Sequence, residues 1–597
     1  MIQPAPTDLA PNIVAMIAAR WRTRADEVVM RYTDDDDRWI DVTGAEAQAM
    51  VDAVAKGLIA RGVQPGQSVG IMARTRIEWT VLDLAIWTAG ALPVPIYDTS
   101  SASQIDWITS DAEVSLLVVE TEAHAALAHQ VASDPESPLR DVLVIDRGCM
   151  DDLRAAGAGI PDSVVAERAA LATLDSPATI VYTSGTTGRP KGAVLTHFNF
   201  VRHTAGIQQQ IPEVVLREGG STVLFLTLAH SLARLVEVVL LASGTVIGFC
   251  PDSKKLVPYF ASFQPTLVLA VPRVFEKVYN AAEQKAAAGG KVKIFRWAAQ
   301  QSIAYSQALD TPEGPSLALK AKHALADRLV LAKIRAVLGG RAVHAISGSA
   351  PLGDRLGHFY RGLGLLVLEG YGLTEVTAAA HVNVVERSKI GSVGPALPGF
   401  DVTIADDGEI LMRGDMLFQG YHRNPEATAE AMQDGWFRTG DIGRLDEDGY
   451  LYITGRKKEI IVTAGGKNVA PATLEDRLRG YALVSQCVVV GDGRPFIGAL
   501  LTLDAEALPG WLTSHGLPDM PVAEAAAHPV VREHLEKAVT RANAAVSRAE
   551  SIRRWEILAD DFTVEAGHLT PSLKVKRAQV LRDFAADVDA LYAPSPR

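Results

Sequence analysis

The chain has 597 residues, of which 48% are hydrophobic and 21% are charged, and its formal net charge is −12. These values are ordinary for a globular protein that is long enough to form several domains, each with its own core. Non-specific binding of nucleic acid needs a basic face, so the acidic balance predicts no nucleic-acid partner. A local basic pocket for a phosphate-bearing ligand remains compatible with it.

Cysteine usage and targeting signals predict a cytoplasmic protein. Cys149, Cys250 and Cys487 form no C-x-x-C pair, which excludes a disulfide framework and a cysteine zinc site. Residues 1–7 lack the basic and apolar regions of a signal peptide. The most apolar stretch, 231–250, contains two charged residues and is not expected to span a membrane. Peripheral membrane contact and a homodimer are both left open.

The first third of the chain alternates helical and strand patterns. Thr43-x-x-Glu46 is a capping-box signature at the start of a helix that Gly62 can end. A short strand at 69–72, a helix from Ile77 and a strand at 94–97 follow. This rhythm continues to about residue 400 and predicts an α/β fold with parallel sheets. The four acids at 34–37 indicate a solvated hairpin turn, with a metal site as the weaker alternative.

Composition then changes twice along the chain. Residues 281–335 are rich in Ala, Lys and Gln and predict helices, broken at Thr311-Pro312-Glu313-Gly314. Short strands with Gly and Asp turns predict a small β-rich subdomain at about 400–455. The expected organisation is a large domain of α/β layers at 1–455, which includes that subdomain, and a smaller α+β domain at 456–597.

The segment Thr179–His197, TIVYTSGTTGRPKGAVLTH, combines glycines, hydroxyls and a lysine after an apolar strand. Glycines let a backbone approach a ligand closely, and successive N–H and hydroxyl groups can donate to phosphate oxygens. Lys191 adds a positive charge suited to a polyphosphate. The spacing is not that of a Walker A loop. The predicted phosphate loop consists of Thr183, Ser184, Gly185, Thr186, Thr187 and Gly188. A flexible Ser/Gly/Thr loop is the alternative.

The motif YTSGTTGRPKG resembles the phosphate loop of the adenylate-forming superfamily, which comprises acyl-CoA synthetases, adenylation domains and luciferases. The resemblance covers nearly the whole chain, because the other motifs follow in family order. It implies the acyl-CoA synthetase-like fold, in which a smaller C-terminal domain is mobile relative to the large one.

A second motif, EGYGLTE, follows the apolar strand 365–368. Tyr371 offers a flat face for a purine, Thr374 can donate to an α-phosphate, and Glu375 is a hard oxygen ligand suited to Mg²⁺. The resemblance implies that Glu375 holds the metal together with Thr183. It also places further residues at the nucleotide, namely Gly348, Ser349, Ala350, Glu369, Gly370 and Gly372.

The run DGWFRTGDIG and the tract GRKKE resemble the fatty-acyl-CoA synthetase signature. Asp441 is predicted to accept from the ribose hydroxyls, since a carboxylate can accept from both groups of a diol. The resemblance implies a second ribose contact at Arg456 and a hinge at Lys458. Long-chain members often have Asp where this chain has Gly455 and Lys-Leu where it has 462–463, which bears on acyl specificity and not on the reaction.

The C-terminal motif LTPSLKVKR aligns with the catalytic-lysine loop of the family. Lys574 falls on the lysine, with Lys576 as the competing candidate. A lysine is a compact point charge that can stabilise charge building up between a carboxylate and an α-phosphate. Gly465 and Gly466 leave room for a pantetheine arm and are predicted at the CoA channel. The run 226–230, LTLAH, resembles a family motif that usually has Pro at position 227, and the resemblance implies that His230 lies at the acyl pocket or its gate. A purely structural role is the alternative.

These motifs predict ATP-dependent activation of a fatty acid to acyl-AMP, followed by transfer to CoA, with Lys574, Lys191 and Glu375 as the catalytic residues. ATP, Mg²⁺ and CoA are the implied cofactors and co-substrates. Residues 265–279 and the helical insert that contains residues 295–298 (FRWA) resemble the corresponding segments of long-chain members. Three alternatives stay open: a ligase that loads a carrier protein, a non-catalytic binding relative and a luciferase-like oxygenase.

Overall fold

The computed structural model describes residues 9–183, 189–570 and 574–593. Ser184, Gly185, Thr186, Thr187 and Gly188 of the predicted phosphate loop lie outside the described residues. The elements up to residue 183 are α1 Ile13–Thr23, β1 Val28–Thr33, β2 Trp39–Thr43, α2 Gly44–Ala60, β3 Ser68–Met72, α3 Ile77–Thr88, β4 Leu92–Pro95, α4 Ala102–Asp111, β5 Leu116–Val119, α5 Glu122–Ala132, β6 Asp141–Val144, α6 Cys149–Ala156, α7 Asp162–Ala169 and β7 Pro177–Thr183.

From residue 189 to 382 helices and strands continue to alternate, with a helical segment between the fourth and fifth of these strands. The elements are β8 Lys191–Thr196, α8 His197–Gln210, α9 Pro212–Val215, β9 Ser221–Leu224, α10 Ser231–Ser243, β10 Val246–Phe249, α11 Leu256–Phe263, β11 Leu267–Ala270, α12 Pro272–Ala288, α13 Val292–Ala308, α14 Leu317–Ala326, α15 Ala332–Val337, β12 His344–Ser347, α16 Asp354–Leu363, β13 Leu366–Tyr371 and β14 His381–Val382.

The remaining elements form the β-rich part and the C-terminal part. The β-rich part contains β15 Phe400–Ile404, β16 Glu409–Gly414, β17 Gly420–Tyr421, α17 Pro425–Ala431, β18 Met432–Gln433, β19 Trp436–Leu445 and β20 Leu451–Arg456. The C-terminal part contains β21 Ile461–Val462, β22 Asn468–Val469, α18 Pro471–Arg479, β23 Val484–Val490, β24 Ile497–Leu503, α19 Leu508–Ser514, α20 Val522–Ala527, α21 Pro529–Asn543, β25 Ile552–Ile557, α22 Arg577–Asp583 and α23 Ala585–Tyr592.

Parallel pairing dominates the large part of the molecule, as predicted. One sheet has the order β4-β3-β5-β6 and is parallel throughout. A second, β2-β1-β10-β9, is parallel except for the β1–β2 hairpin. A third, β11-β12-β13-β14, is parallel except at β14. The acidic run 34–37 forms the turn of the hairpin, where an Asp34 carboxylate oxygen accepts from the amides of Asp36 and Arg38.

The strands that flank the phosphate loop differ from the parallel prediction. β7 and β8 pair antiparallel in a small sheet of order β17-β8-β7. The physical reason is the length of the connection: only seven residues separate the end of β7 from the start of β8, fewer than the crossover that parallel strands need. The strand predicted at 94–97 also starts earlier, at Leu92, and its two prolines are tolerated because β4 is an edge strand.

The capping box is confirmed. The Glu46 amide donates to Thr43 Oγ1 at 3.3 Å, and the Thr43 amide donates to Glu46 Oε2 at 2.8 Å. The two bonds satisfy amides at the helix start that would otherwise lack partners.

The predicted β-rich subdomain consists of antiparallel strands, β15-β16-β19-β18 with β20 paired to β19. Beyond it, β23-β24-β25 and the helices around them bury hydrophobic clusters of their own. This architecture confirms the mixed α/β fold with a separate C-terminal domain. Within the described residues, no helix is both long enough and apolar enough to cross a bilayer; the apolar stretch 231–250 divides into α10 and β10.

A buried ion pair joins three elements that lead into the candidate site. Arg234 of α10 donates to both carboxylate oxygens of Asp83 in α3, at 2.9 and 2.5 Å. Its third bond goes to Thr179 Oγ1 of β7. All three side chains are buried. β7 ends at Thr183, and α10 begins beside His230. The network therefore fixes the distance between these two predicted site residues.

One turn further along α10, Glu237 is buried and accepts a hydrogen bond from Thr80. Burial raises the pKa of Glu237 to about 8 from an ordinary value of 4.5. Between these values the folded protein keeps a proton that the unfolded chain releases, so this group reduces stability as the pH rises from about 4.5 to 8.

Replacing Glu237 with glutamine is therefore expected to flatten the fall in stability between pH 5 and pH 8. The substitution should raise the free energy of unfolding, relative to the parent protein, by at most about 4 kcal/mol more at pH 8 than at pH 5, as expected from a pKa shift of this size. Denaturant unfolding at both pH values measures it, with the exposed Glu213→Gln as the matched control. An equal effect of Glu237→Gln at the two pH values would contradict the protonated state.

Candidate active site

The predicted site residues come from elements far apart in sequence, and several of them meet around Lys574 in one cleft. Lys574 lies close enough to Glu375, Asp441 and Arg456 for direct electrostatic interaction, and it also acts on His230. These residues come from the end of β13, from β19 and β20, from the start of α10 and from the C-terminal tail.

The two predicted ribose contacts face each other across β19 and β20. Asp441 is the register partner of Arg456, whose Nε lies 2.9 Å from Asp441 Oδ1. Tyr371 Oη donates to Asp441 Oδ2 at 2.6 Å. The carboxylate is thus held on both oxygens at the place where the predicted purine face, Tyr371, ends its strand. A diol arriving there meets an oriented acceptor and an adjacent guanidinium donor.

Glu375 lies in a single helical turn, Thr374–Val376, just after β13, and is mostly buried. Its Oε1 accepts a hydrogen bond from Tyr421 Oη at 2.6 Å. The Lys191 Nζ stands 5.1 Å from the centre of the same tyrosine ring. Tyr421 therefore connects the predicted metal carboxylate to the predicted phosphate-binding lysine.

Tyr421 was missed in the sequence analysis. It reaches Glu375 because β17 pairs with β8, where Tyr421 lies opposite Ala193. Glu375 is 46 residues away in the chain, so no local pattern marks the contact. The only sequence signal is a Gly-Tyr pair in a Gly- and Asn-containing stretch, which is typical of many turns.

The chemistry of the two predicted ligands, Glu375 and Thr183, fits Mg²⁺. Thr183 supplies a hydroxyl at the end of β7, with its Oγ1 3.4 Å from the Lys191 carbonyl oxygen. One carboxylate and one hydroxyl are hard oxygen donors, and Mg²⁺ that travels with a polyphosphate takes few protein ligands. The assignment of Thr183 and Glu375 to the metal stays a prediction.

His230 precedes α10 and caps it, since its Nδ1 accepts from the Leu232 amide at 3.2 Å. Burial and the positive charge of Lys574 lower the pKa of His230 to about 4, so the ring is neutral at pH 7. The next residue, Ser231, is hydrogen-bonded through its hydroxyl to Thr374 Oγ1 at 3.2 Å. The structural role open to His230 is therefore that of a helix cap for α10. Its role as an acyl gate remains a prediction.

Two hydrogen bonds join Lys574 to Thr570. Its amide donates to Thr570 Oγ1 at 3.0 Å, and the Thr570 amide donates to the Lys574 carbonyl at 2.8 Å. Lys574 is exposed, although protein atoms surround its amine on most sides. Desolvation there, with the nearby Arg456 charge, lowers the pKa of Lys574. The competing Lys576 lies directly before α22, and its amide donates to the His568 carbonyl.

Two further predicted site residues, Glu369 and Gly372, are constrained by contacts within the protein itself. Glu369 accepts from the Leu352 amide at 2.9 Å, and burial raises the pKa of its carboxyl to about 7. Gly372 passes so close to Ala378 that an added Cβ would stand 2.3 Å from its carbonyl oxygen. Packing therefore requires glycine there whether or not a nucleotide binds. The loop Gly348-Ser349-Ala350, predicted at the nucleotide, follows β12, and Ser349 has φ +71°.

The predicted CoA-channel glycines are not brought to this cleft. Gly465 and Gly466 are exposed in the turn between β21 and β22. The turn bonds within the C-terminal part, since the Ala464 amide donates to the Arg494 carbonyl at 2.9 Å. The described structure therefore places Lys574, and not the glycine turn, at the candidate nucleotide site.

Ion pairs join the C-terminal part to α12 in this arrangement. Arg273 lies 2.8 Å from Asp504, and Lys277 lies 2.9 Å from Glu506. At the connection between the two parts, Lys457 is tied to Asp407 and Glu409 of the β-rich strands. The predicted hinge residue, Lys458, is exposed next to that anchor.

Comparison with known proteins defines the class. Residues 17–422 match the AMP-binding enzyme family, and residues 458–595 match the AMP-binding enzyme C-terminal domain. The chain therefore belongs to the AMP-binding enzyme family, which confirms the resemblance read from its motifs.

Two individual relatives are similar to this chain over most of its length. The chain is 50% identical to the long-chain-fatty-acid–CoA ligase FadD15 of Mycobacterium tuberculosis, over 97% of both chains. It is 31% identical to the long-chain-fatty-acid–CoA ligase ACSBG2 of Mus musculus, over 93% of this chain and 89% of that one.

Solved structures support the fold. The anthranilate CoA ligase AuaEII in complex with anthranoyl-AMP matches with a TM-score of 0.72 at 19% identity, over 98% of this chain and 99% of that one. The A domain of the carboxylic acid reductase from Segniliparus rugosus, in complex with AMP and a co-purified carboxylic acid, matches with a TM-score of 0.75 at 21% identity, over 98% and 95%.

Proposed function

We propose that this enzyme converts a long-chain fatty acid, ATP and CoA to the acyl-CoA thioester, AMP and pyrophosphate. The observation that carries the proposal is the meeting of Lys574 with Glu375, Asp441 and Arg456 in one cleft. Relatives named long-chain-fatty-acid–CoA ligases, similar over nearly the whole chain, support the acyl class.

In the first step a carboxylate oxygen of the fatty acid attacks the α-phosphorus of ATP. The bond to the bridging oxygen of the β-phosphate breaks, and pyrophosphate leaves. Asp441 and Arg456 hold the ribose, and Lys191 faces the departing phosphates. Lys574 stabilises the negative charge shared by the carboxylate and the α-phosphate. Mg²⁺ bound at Glu375 and Thr183 would neutralise further phosphate charge.

In the second step the CoA thiol loses its proton and attacks the acyl carbonyl carbon, and AMP leaves. We expect the Gly465-Gly466 turn to replace Lys574 for this step, since in the described arrangement the turn is exposed and bonded within the C-terminal part. The rotation breaks the Arg273–Asp504 and Lys277–Glu506 pairs. Lys458 is the proposed pivot, since the preceding residue is anchored to the large domain.

A proline at position 458 is expected to impair one half-reaction more than the other. Proline fixes φ near −65° and so restricts rotation about the proposed pivot. Acyl-AMP formation and acyl-AMP consumption by CoA are measured separately, with Lys458→Ala as the control that removes the charge and keeps the backbone free. Equal loss of both half-reactions in Lys458→Pro would refute the hinge assignment.

Tyr421→Phe is expected to raise the Mg²⁺ concentration for half-maximal rate roughly tenfold, because one charge-assisted hydrogen bond to Glu375 is lost. Tyr421→Leu also removes the ring beneath Lys191 and should raise the KM for ATP further. Mn²⁺ binding with a non-hydrolysable ATP analogue, followed by electron paramagnetic resonance, tests the contact without turnover. Tyr452→Phe is the control, and unchanged Mn²⁺ affinity in Tyr421→Phe would count against the proposed contact.

A substrate panel tests the proposed function. Purified protein, ATP, Mg²⁺ and CoA are incubated with acids from acetate to stearate, and thioesters are identified by mass spectrometry. The proposal predicts AMP and thioester with the long acids. If the acyl group of acyl-AMP passes only to a carrier protein, that protein is the acceptor in place of CoA. Absence of AMP with every acid would overturn the ligase function.

We propose that the reaction takes place in the cytoplasm, which three buried cysteines with free thiols support. Homodimer formation is testable by light scattering.

A further inference from the structure

The outer face of residues 317–337 exposes an unusual run of apolar side chains. α14, the π-helical turn Asp327–Leu331 and α15 follow one another without interruption. Leu317 is 84% exposed, Leu325 is 51% exposed and Leu329 is 42% exposed. Their spacing of eight and four residues places them along one side of the helix. We call this side the outer helix face.

The opposite side of the same segment is fixed to the protein. Ala326, Leu331 and Ile334 are buried in the hydrophobic core. His323 Nε2 is 2.7 Å from the Gly362 carbonyl oxygen, and Arg335 bonds to Asp327 on its own segment and to the backbone of the large domain. The orientation of the helix is therefore set by packing, and the leucines face outward in the folded protein.

Basic residues alternate with these leucines. Lys320, Lys322, Arg328 and Lys333 are exposed. Within the described ranges of the chain none of the four forms an ion pair, whereas the one acid of the segment, Asp327, is paired with Arg335. From Lys285 to Arg341 the sequence has ten basic and three acidic residues, although the whole chain carries −12. The segment that bears Leu317, Leu325 and Leu329 therefore has a net charge of +7, ten basic minus three acidic residues, in an otherwise acidic protein.

We propose that the outer helix face docks on an anionic lipid bilayer. Leucines along the exposed side of a helix, flanked by lysine and arginine, can enter the boundary between headgroups and acyl chains while the cations contact lipid phosphates. A bilayer needs no shape-complementary pocket, which suits a convex helix. An acidic protein would satisfy the cations but leave Leu317, Leu325 and Leu329 without a matching surface, so charge and apolarity together favour lipid.

The proposal goes beyond the ligase reaction and is tested without it. The protein is sedimented with phosphatidylcholine vesicles and with vesicles that also contain phosphatidylglycerol. We expect binding to the anionic vesicles, weakened by salt. Lys320→Ala/Lys322→Ala should reduce the partition coefficient about 25-fold, since each cation near the surface contributes about fivefold. Leu317→Ser/Leu325→Ser should reduce it by a comparable factor. The matched controls, Leu171→Ser and Arg548→Ala, alter exposed residues elsewhere and should leave it unchanged.

A fluorescent label at the face gives a second readout that does not require loss of binding. Leu325→Cys offers an exposed thiol, whereas Cys149, Cys250 and Cys487 are buried. An environment-sensitive dye on it should shift to the blue with anionic vesicles, and the same dye at Leu171→Cys should not. No sedimentation with anionic vesicles, equal effects of test and control variants, or a shift caused only by an acidic carrier protein would each overturn the proposal. Ligase activity on a soluble acid without vesicles stays unchanged in all these variants.

Discussion

Lys574→Ala is expected to slow acyl-AMP formation by about 10²- to 10³-fold, the usual cost of removing one preorganised charge-stabilising group. The lysine interacts with Glu375, Asp441 and Arg456 in the described arrangement. Its positive charge therefore stands where negative charge accumulates as the carboxylate attacks the α-phosphorus. Acyl-AMP formation is measured as ATP–pyrophosphate exchange that depends on the fatty acid.

The second half-reaction separates this role from general damage. Acyl-AMP supplied to the Lys574→Ala variant should still be converted to acyl-CoA at a rate near that of the parent, because the lysine has to leave the cleft for that step. Lys576→Ala is the matched control and should retain exchange activity. A Lys574→Ala variant that loses both half-reactions equally, or a Lys576→Ala variant that loses more exchange, would reverse the assignment.

Glu375→Gln is expected to reduce the kcat/KM of acyl-AMP formation by about 10²-fold and to raise the Mg²⁺ requirement. Glutamine keeps the shape of the side chain and can still accept from Tyr421 Oη through its carbonyl oxygen. What it removes is the negative charge that a divalent cation needs. Titration of the rate against Mg²⁺ at fixed ATP, together with calorimetry of Mg²⁺–ATP binding, measures the change.

The control for this prediction lies in the preceding strand. Glu369 is also buried, but it accepts from a backbone amide, and burial raises the pKa of its carboxyl to about 7. Glu369 therefore carries its charge for only part of the time near pH 7, and Glu369→Gln should leave the Mg²⁺ requirement unchanged. A larger effect from Glu369→Gln than from Glu375→Gln would move the metal assignment to Glu369.

Local features of the fold were predictable because their causes are local. The capping box at Thr43 and the acidic hairpin turn at 34–37 depend on residues within four positions of one another, and both are present. The antiparallel pairing of β7 with β8 was not predicted. An apolar strand followed by a glycine loop also precedes a crossover helix in many α/β folds, and only the tertiary structure shows that this chain turns back.

The candidate site likewise has features that the sequence predicts and features that only the tertiary structure reveals. Motifs identified each residue by type and spacing, and the structure gathers Lys574, Glu375, Asp441 and Arg456. Contacts that depend on two distant segments could not be read from the sequence. Tyr421 meets Glu375 only because a short strand pairs beside the phosphate loop. The functional roles of these residues stay predictions until the variants are measured.

The most direct test of the account is a single-turnover experiment with the enzyme in excess over ATP that is radiolabelled at the α-phosphate, in the presence of palmitate and Mg²⁺. The account predicts that labelled acyl-AMP accumulates without CoA and is converted to AMP and palmitoyl-CoA when CoA is added. Labelled ADP, or AMP formed without any acyl-AMP, would contradict it.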